Sequence, residues 1–177
     1  MCIRDSAGTF PFFIFDQTNA LFIGSDLDIR YRHSEHLNSE LKISYVSARE
    51  IENDQRFIEI PPLNVSYSLE YGTGPLNFGL NLNYTAEQFQ SPRTIEPGSF
   101  QNGGPSEFNQ DEIFDFMDAP DDFFLIGGKI NYKYNSFNVE LGVDNLLNTT
   151  YRSNTDRLRY FADAPGRNVS LTLQFEF

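Results

Sequence analysis

From Leu63 the run "LNVSYSLEY" sets Leu63, Val65, Tyr67, Leu69 and Tyr71 against Asn64, Ser66, Ser68 and Glu70. Successive side chains of an extended chain point to opposite faces, so alternation with period two means a strand with one dry face. The next run, "LNFGLNLNY", repeats the design with Leu76, Phe78, Leu80, Leu82 and Tyr84 against Asn77, Gly79, Asn81 and Asn83. Only "GTGP" separates the two runs, and a Gly-rich connection this short makes them an antiparallel hairpin.

The same alternation recurs along the chain, and helical spacing is hard to find. It predicts seven strands, at about 11–33, 37–49, 57–72, 76–90, 122–134, 137–151 and 166–177. Across their clear parts the apolar face holds no Asp, Glu, Lys or Arg, although these types make up 21% of the chain. The other face carries Asp26, Asp28, Arg30, Glu40, Lys42, Glu70, Lys129, Lys133, Glu140 and Asp144. Parity runs unbroken from Phe13 and Phe15 to Leu21 and Ile23. Asp16 to Asn19 is therefore expected inside one long strand, whereas a tight turn there would add an eighth strand and permit a small closed barrel.

Loop lengths alternate as well. "HSEH", "GTGP" and "NS" are short, and the connections at about 50–56, 91–121 and 152–165 are longer. Short turns on one rim and long loops on the other are the mark of an outer-membrane barrel, with the short turns in the periplasm. Tyr31, Tyr71, Tyr134, Phe137 and Phe177 fall at the short-turn rim, and Tyr45, Tyr84, Phe124 and Tyr151 toward the other, as two interfacial girdles would. The rival fold is a soluble β-sandwich, whose strands also alternate but average five or six residues. The pattern predicts an all-β, antiparallel transmembrane barrel. Seven strands with ends on opposite rims cannot close one, so an open curved sheet is expected.

Composition narrows the classes. A net charge of −12 argues against nucleic acid or an anionic membrane surface as partner. Cys2 is the single cysteine, so no internal disulfide forms. No stretch approaches the roughly 20 apolar residues of a membrane helix, and mean hydropathy is negative. "MCIRDS" lacks the apolar region of a secretory signal and resembles a hexapeptide left by assembled sequencing reads. Residues 1–8 are thus expected to be a leader outside the fold, and 9–177 the folded part.

The last forty residues carry a motif. Val143, Asn145, Leu146, Leu147, Asn148 and Tyr151 follow a V-x-N-L-[FL]-[ND]-x-x-Y pattern, and Pro165, Gly166, Arg167 and Asn168 lead into a strand that alternates to a terminal Phe177. This resembles the C-terminal end of a TonB-dependent receptor. Ala20, Gly24 and Asp26 are similar to that family's A-x-x-x-G-x-E strand, with Asp where Glu is commoner. The resemblance implies the last seven strands of a 22-stranded barrel whose lumen is plugged, with the plug and the TonB-contacting segment outside this chain. It implies uptake of a scarce ligand such as a ferric siderophore, cobalamin, a metal or a glycan. It also implies three partners: outer-membrane lipid, the barrel-assembly machinery reading the terminal strand, and TonB. A passive porin or small structural barrel is the alternative. Asn145, Leu146, Tyr151, Pro165, Gly166, Arg167 and Phe177 are expected to be structural, with a bulge or change of face at Asn145.

Candidate chemistry is sparse. The long loop "SEFNQDEIFDFMDAPDD" offers Asp111, Glu112, Asp115 and Asp118 as candidate substrate-binding carboxylates, but their spacing departs from the Ca²⁺-loop pattern. Its Ile113, Phe114, Phe116 and Met117 suit a short apolar helix over the barrel mouth. His33, Glu35 and His36 lie close together, yet in a tight turn solvated polar residues are expected, so no metal site and no cofactor is assigned. No G-x-S-x-G, P-loop, C-x-x-C or H-E-x-x-H occurs. An outer-membrane enzyme would need a Ser, His and Asp set at one rim, and both histidines fall in a predicted periplasmic turn. No catalytic residue is assigned.

Overall fold

The computed structural model describes residues 17–52, 54–94, 114–115 and 117–176. Seven antiparallel strands form one sheet: β1 (Ala20–Arg32), β2 (Leu37–Glu50), β3 (Asn64–Thr73), β4 (Leu76–Thr85), β7 (Phe123–Tyr134), β8 (Phe137–Asp144) and β9 (Asn168–Phe175). The sheet order is β1-β2-β3-β4-β7-β8-β9, a meander interrupted once. In that interruption β5 (Arg93–Thr94) and β6 (Phe114–Asp115) pair in parallel as a separate two-residue ladder. The strand there replaces the apolar helix expected around Phe114 and Met117; Ile113 and Phe116 lie outside the described residues.

The register explains why the alternation holds across the whole sheet. Ile29, Leu41, Tyr67, Leu82 and Ile126 are successive partners from β1 to β7. Phe78, Ile130, Leu141 and Leu171 continue the same face to β9. A one-residue slip at any ladder would turn an apolar set onto the polar face, so the shared face pins each pairing. On the polar face Arg30 lies 3.2 Å from Asp28 and 2.6 Å from Glu40, while Lys42 lies 2.8 Å from Glu40. Lys129 reaches Glu70 at 3.5 Å. Phe22 breaks the pattern there, and it stacks on Phe57 with ring centroids 5.9 Å apart.

Among the described residues nothing packs against the apolar face. Ala48 is the one buried apolar residue among the described residues, while Ile29 is 47% and Leu171 63% exposed. A sandwich would bury these side chains under a second sheet about 10 Å away. No second layer exists among the described residues, so the sandwich reading fails on packing. Among the described residues β1 pairs only with β2, and β9 only with β8, which leaves the sheet open.

All seven predicted strands are present in the predicted order, and most end earlier at the long-loop rim. Strand β3 starts at Asn64 because Pro61 and Pro62 bring no amide to a ladder. Strand β1 begins at Ala20, so Gln17 to Asn19 lie outside the long strand expected there, and Asp16 lies outside the described residues. Its ladder stops because β2 ends at Glu50, with a last bond from the Ile51 amide to Asn19 O at 2.9 Å. At the opposite rim, Asn135 (φ 49°) and Gly74 (φ 56°) adopt the left-handed backbone that tight hairpin turns need.

Candidate functional site

An antiparallel meander sends alternate connections to opposite rims. The segments after β2, β4 and β8 therefore meet at one rim, and each is tied to another by side chains. Ile60 O accepts from Gln88 Nε2 at 2.6 Å and from Asn154 Nδ2 at 2.9 Å. Gln90 Oε1 accepts from Ser47 Oγ at 2.7 Å and from Arg56 Nη1 at 3.3 Å, and its amide nitrogen donates to the Tyr45 hydroxyl. Arg157 grips Glu59 with two bonds, at 2.8 and 3.2 Å, and that hydrogen-bonded carboxylate raises the Arg157 pKa.

The C-terminal motif builds the last of these segments. Strand β8 ends at Asp144, short of the predicted 151, because Asn145 and Asn148 take left-handed backbone at φ 49° and 57°. Asparagine tolerates that region better than any other residue with a Cβ. Asn145, buried, accepts from the Thr149 amide and donates to Thr149 O, both at 2.8 Å. The Leu146 amide donates to Ile126 O at 2.7 Å, and Leu146 and Leu147 are exposed. Asn148 Oδ1 accepts from the Arg167 amide at 2.9 Å, and a Cβ on Gly166 would stand 2.7 Å from that oxygen. Tyr151 packs on Phe123, centroids 4.5 Å apart. Pro165 is exposed at the approach to β9, and Phe177 lies outside the described residues. At Asn145 and Asn148 the backbone takes a turn rather than the bulge or change of face expected at Asn145.

Between that motif and Pro165 lies a 3-10 turn, Arg157–Tyr160, whose first amides are capped by Asp156 accepting from Leu158 N at 2.9 Å. The turn drives Arg159 inward, to 2% exposure, where it meets Asp115 at 1%. The two form a buried ion pair. The Tyr160 hydroxyl donates to Asp115 Oδ1 at 2.6 Å, and the Arg159 guanidinium lies 4.5 Å from the Tyr160 ring centroid. Burial first, and the bond to Asp115 second, raise the Tyr160 pKa well above the phenol range. Arg152 fastens the turn, donating to Arg159 O at 2.8 Å and to Asp163 at 2.5 Å.

Beside this pair lies a cavity of about 400 Å³ whose walls include Asp118, Asp121, Asp122, Tyr151, Arg152 and Asp163. Asp122 accepts from the Tyr84 hydroxyl at 3.0 Å. Carboxylates outnumber guanidiniums on these walls, and both guanidiniums there, Arg152 and Arg159, already hold acidic partners. The cavity therefore offers negative charge and two aromatic rings to a ligand arriving from the long-loop side.

Of the candidate carboxylates, Asp118 is exposed and lines the cavity, while Asp111 and Glu112 lie outside the described residues. Asp115 is buried; a buried carboxylate needs a partner, and Arg159 and Tyr160 hold it. Arg152, Arg159, Tyr160 and Asp163 escaped sequence reading. The available signal was "RLRY", a basic and aromatic tetrapeptide in an acidic chain. Among the described residues no cluster of three His, Cys, Asp or Glu side chains is arranged to hold a metal. His33 Nε2 lies 2.8 Å from Ser39 Oγ, and His36 meets the edge of Tyr71.

No protein-family model matches the chain, and no curated protein does. Among solved structures it is similar to the copper transporter OprC, at 20% identity and a TM-score of 0.72 over 89% of this chain. It is also similar to the FrpB iron transporter from Neisseria meningitidis, at 18% identity and a TM-score of 0.65 over 89% of this chain. It spans about a quarter of each, 23% and 24% of their lengths. Likeness at this identity shows the fold: the chain is an open, seven-stranded antiparallel section matching the wall of these barrel transporters, as its resemblance to TonB-dependent receptors implied.

Proposed function

We propose that this chain is the C-terminal portion, residues 9–177, of an outer-membrane transporter of the TonB-energised kind, with residues 1–8 outside its fold. The observation that carries the reading is the apolar face, unbroken in register over seven strands and covered by none of the described residues. Water would make such a face a severe liability, whereas a bilayer solvates it and leaves the polar face to line a lumen. Further strands on the bare edges of β1 and β9 complete the wall, because an unpaired edge in hydrocarbon leaves backbone groups unsatisfied.

The likeness to a copper and an iron transporter supports uptake of a scarce small ligand. A ferric siderophore, cobalamin, a metal or a glycan all fit that description. We place its approach at the long-loop rim, where the cavity and Asp118 lie, with Asp111 and Glu112 as further candidates. The terminal strand serves the barrel-assembly machinery, and TonB acts through a segment outside these residues. The role is transport rather than catalysis.

Uptake by cells carrying the full-length protein tests this. Radiolabelled copper and ferric-siderophore uptake that collapses on loss of TonB or of the proton gradient supports the energised transporter. Uptake of small solutes that persists without either overturns it in favour of a passive pore. Recovery of the protein outside the outer-membrane fraction overturns the membrane reading altogether.

A further inference from the structure

The longest connection of the sheet, between β4 and β7, is held at its base by two unlike fastenings. Residues 93–94 and 114–115 pair in a two-residue parallel ladder, too short to persist alone. The second fastening is Asp115, whose carboxylate reaches across to the β8–β9 connection and meets Arg159 and Tyr160. Asp115 Oδ1 also accepts from the Met117 amide at 3.4 Å, so the carboxylate fixes the chain direction just before the cavity wall begins. On the far side Arg152 bridges the walls, 3.9 Å from Met117 Sδ and bonded to Arg159 O.

We propose that Asp115, Arg159 and Tyr160 form a clasp between the two longest loops, and that its opening widens the rim cavity by parting the wall at 117–123 from the wall at 150–163. Each wall belongs to a different connection, and the clasp is the buried polar contact joining them beside the cavity. Its closed state is also incompletely satisfied. Among the described residues Arg159 Nε is buried without a hydrogen-bond partner, and so is Asn154 Oδ1 on the same connection. Buried donors and acceptors left unpaired raise the free energy of the closed form, which brings the open form within reach. Tyr160 stays a neutral donor throughout, so the clasp consists of one ion pair with a hydroxyl bracing it.

That the widened cavity admits a ligand rests on the transport reading, but the clasp does not, and its test needs no ligand. Hydrogen–deuterium exchange is followed in the full-length protein in detergent for Asp115→Asn, Arg159→Gln, the double variant and Tyr160→Phe. Asp115→Asn is expected to speed exchange about a hundredfold or more in 117–123 and 150–163 together, with the amides of β4, β7 and β8 unchanged. Arg159→Gln and the double variant should match it, since either change removes the same ion pair, and Tyr160→Phe should fall between these and the unaltered protein. Faster exchange in one wall only, or in neither, overturns the clasp. Should the Asp115 and Arg159 variants also expose strand amides, Tyr160→Phe decides: it keeps the ion pair, and unchanged exchange in both walls overturns the proposal. No uptake by the unaltered protein, with the clasp shown by exchange, would count against the transport reading alone.

Discussion

Asn148 Oδ1 receives the Arg167 amide at 2.9 Å, so the turn that ends β8 holds the residue from which β9 starts. Two stretches nineteen residues apart in sequence thereby fix each other, and the whole β8–β9 connection is closed at its neck. Asn148 contributes twice, through its left-handed backbone and through its side-chain oxygen.

The two contributions separate by substitution. Asn148→Gly keeps the backbone and loses the bond, with an expected cost of about 1 kcal/mol. Asn148→Ala loses the bond and also places a Cβ at φ 57°, adding about 1–2 kcal/mol. Gly166→Ala should resemble the alanine variant, since its new Cβ would crowd Asn148 Oδ1. Urea unfolding in micelles orders the three, and equal stability of the glycine and alanine variants would remove the backbone argument.

Charges test the two faces. Leu141 lies on the apolar face between Ile130 and Leu171, and Ser68 lies opposite Asn81 on the polar face. Leu141→Arg should destabilise the folded protein in bilayers by about 2–4 kcal/mol, whereas Ser68→Arg should change little. Comparable losses at both sites would contradict the assignment of faces.

Ion pairs at the rim are unequal. Arg159→Met strands the Asp115 carboxylate in a buried site and should cost about 3–5 kcal/mol. Arg157→Met breaks the solvated pair with Glu59 and should leave the unfolding midpoint unchanged. Added salt should weaken the second pair and spare the first. A midpoint that falls equally for both variants would refute the distinction.

Tyr160 makes a pH prediction. Its folded pKa is raised, so the unfolded chain loses the phenolic proton first as pH increases. The stabilisation is therefore complete below about pH 10 and is lost as pH climbs through the higher folded value. Absorbance titration should show the same phenolate signal at about pH 11 for the unaltered protein and for Tyr160→Phe. A drop of one tyrosine's signal in the variant at that pH would show the group to be freely titrating.

What the sequence disclosed follows from the range of the forces involved. Alternation around Leu80 or Leu171 is local, so the strands and their common face could be read residue by residue. The strand ends could not: Asn145 and Asn148 stop β8 through backbone angles, and consecutive Leu146 and Leu147 look like a bulge on pattern alone. Asp115 and Arg159 lie 44 residues apart, and an acidic loop gives no sign of which carboxylate will be buried. Asp115 therefore read only as one ligand-binding candidate among four, although it is among the most enclosed side chains described.

The bare apolar face has a consequence for how such a sequence can drift. A packed interior demands complementary shapes, so changing one side chain there disturbs its neighbours. A face dissolved in liquid hydrocarbon, as proposed for this one, demands only greasiness, and Leu80, Ile130 or Val169 could then exchange for one another without any neighbour having to adapt. The polar face is similarly free where it meets water. Fixed identity is then needed only where backbone or burial enforces it, at Asn145, Asn148, Gly166 and the Asp115–Arg159 pair, and a wall built this way can keep its shape while most of its letters change.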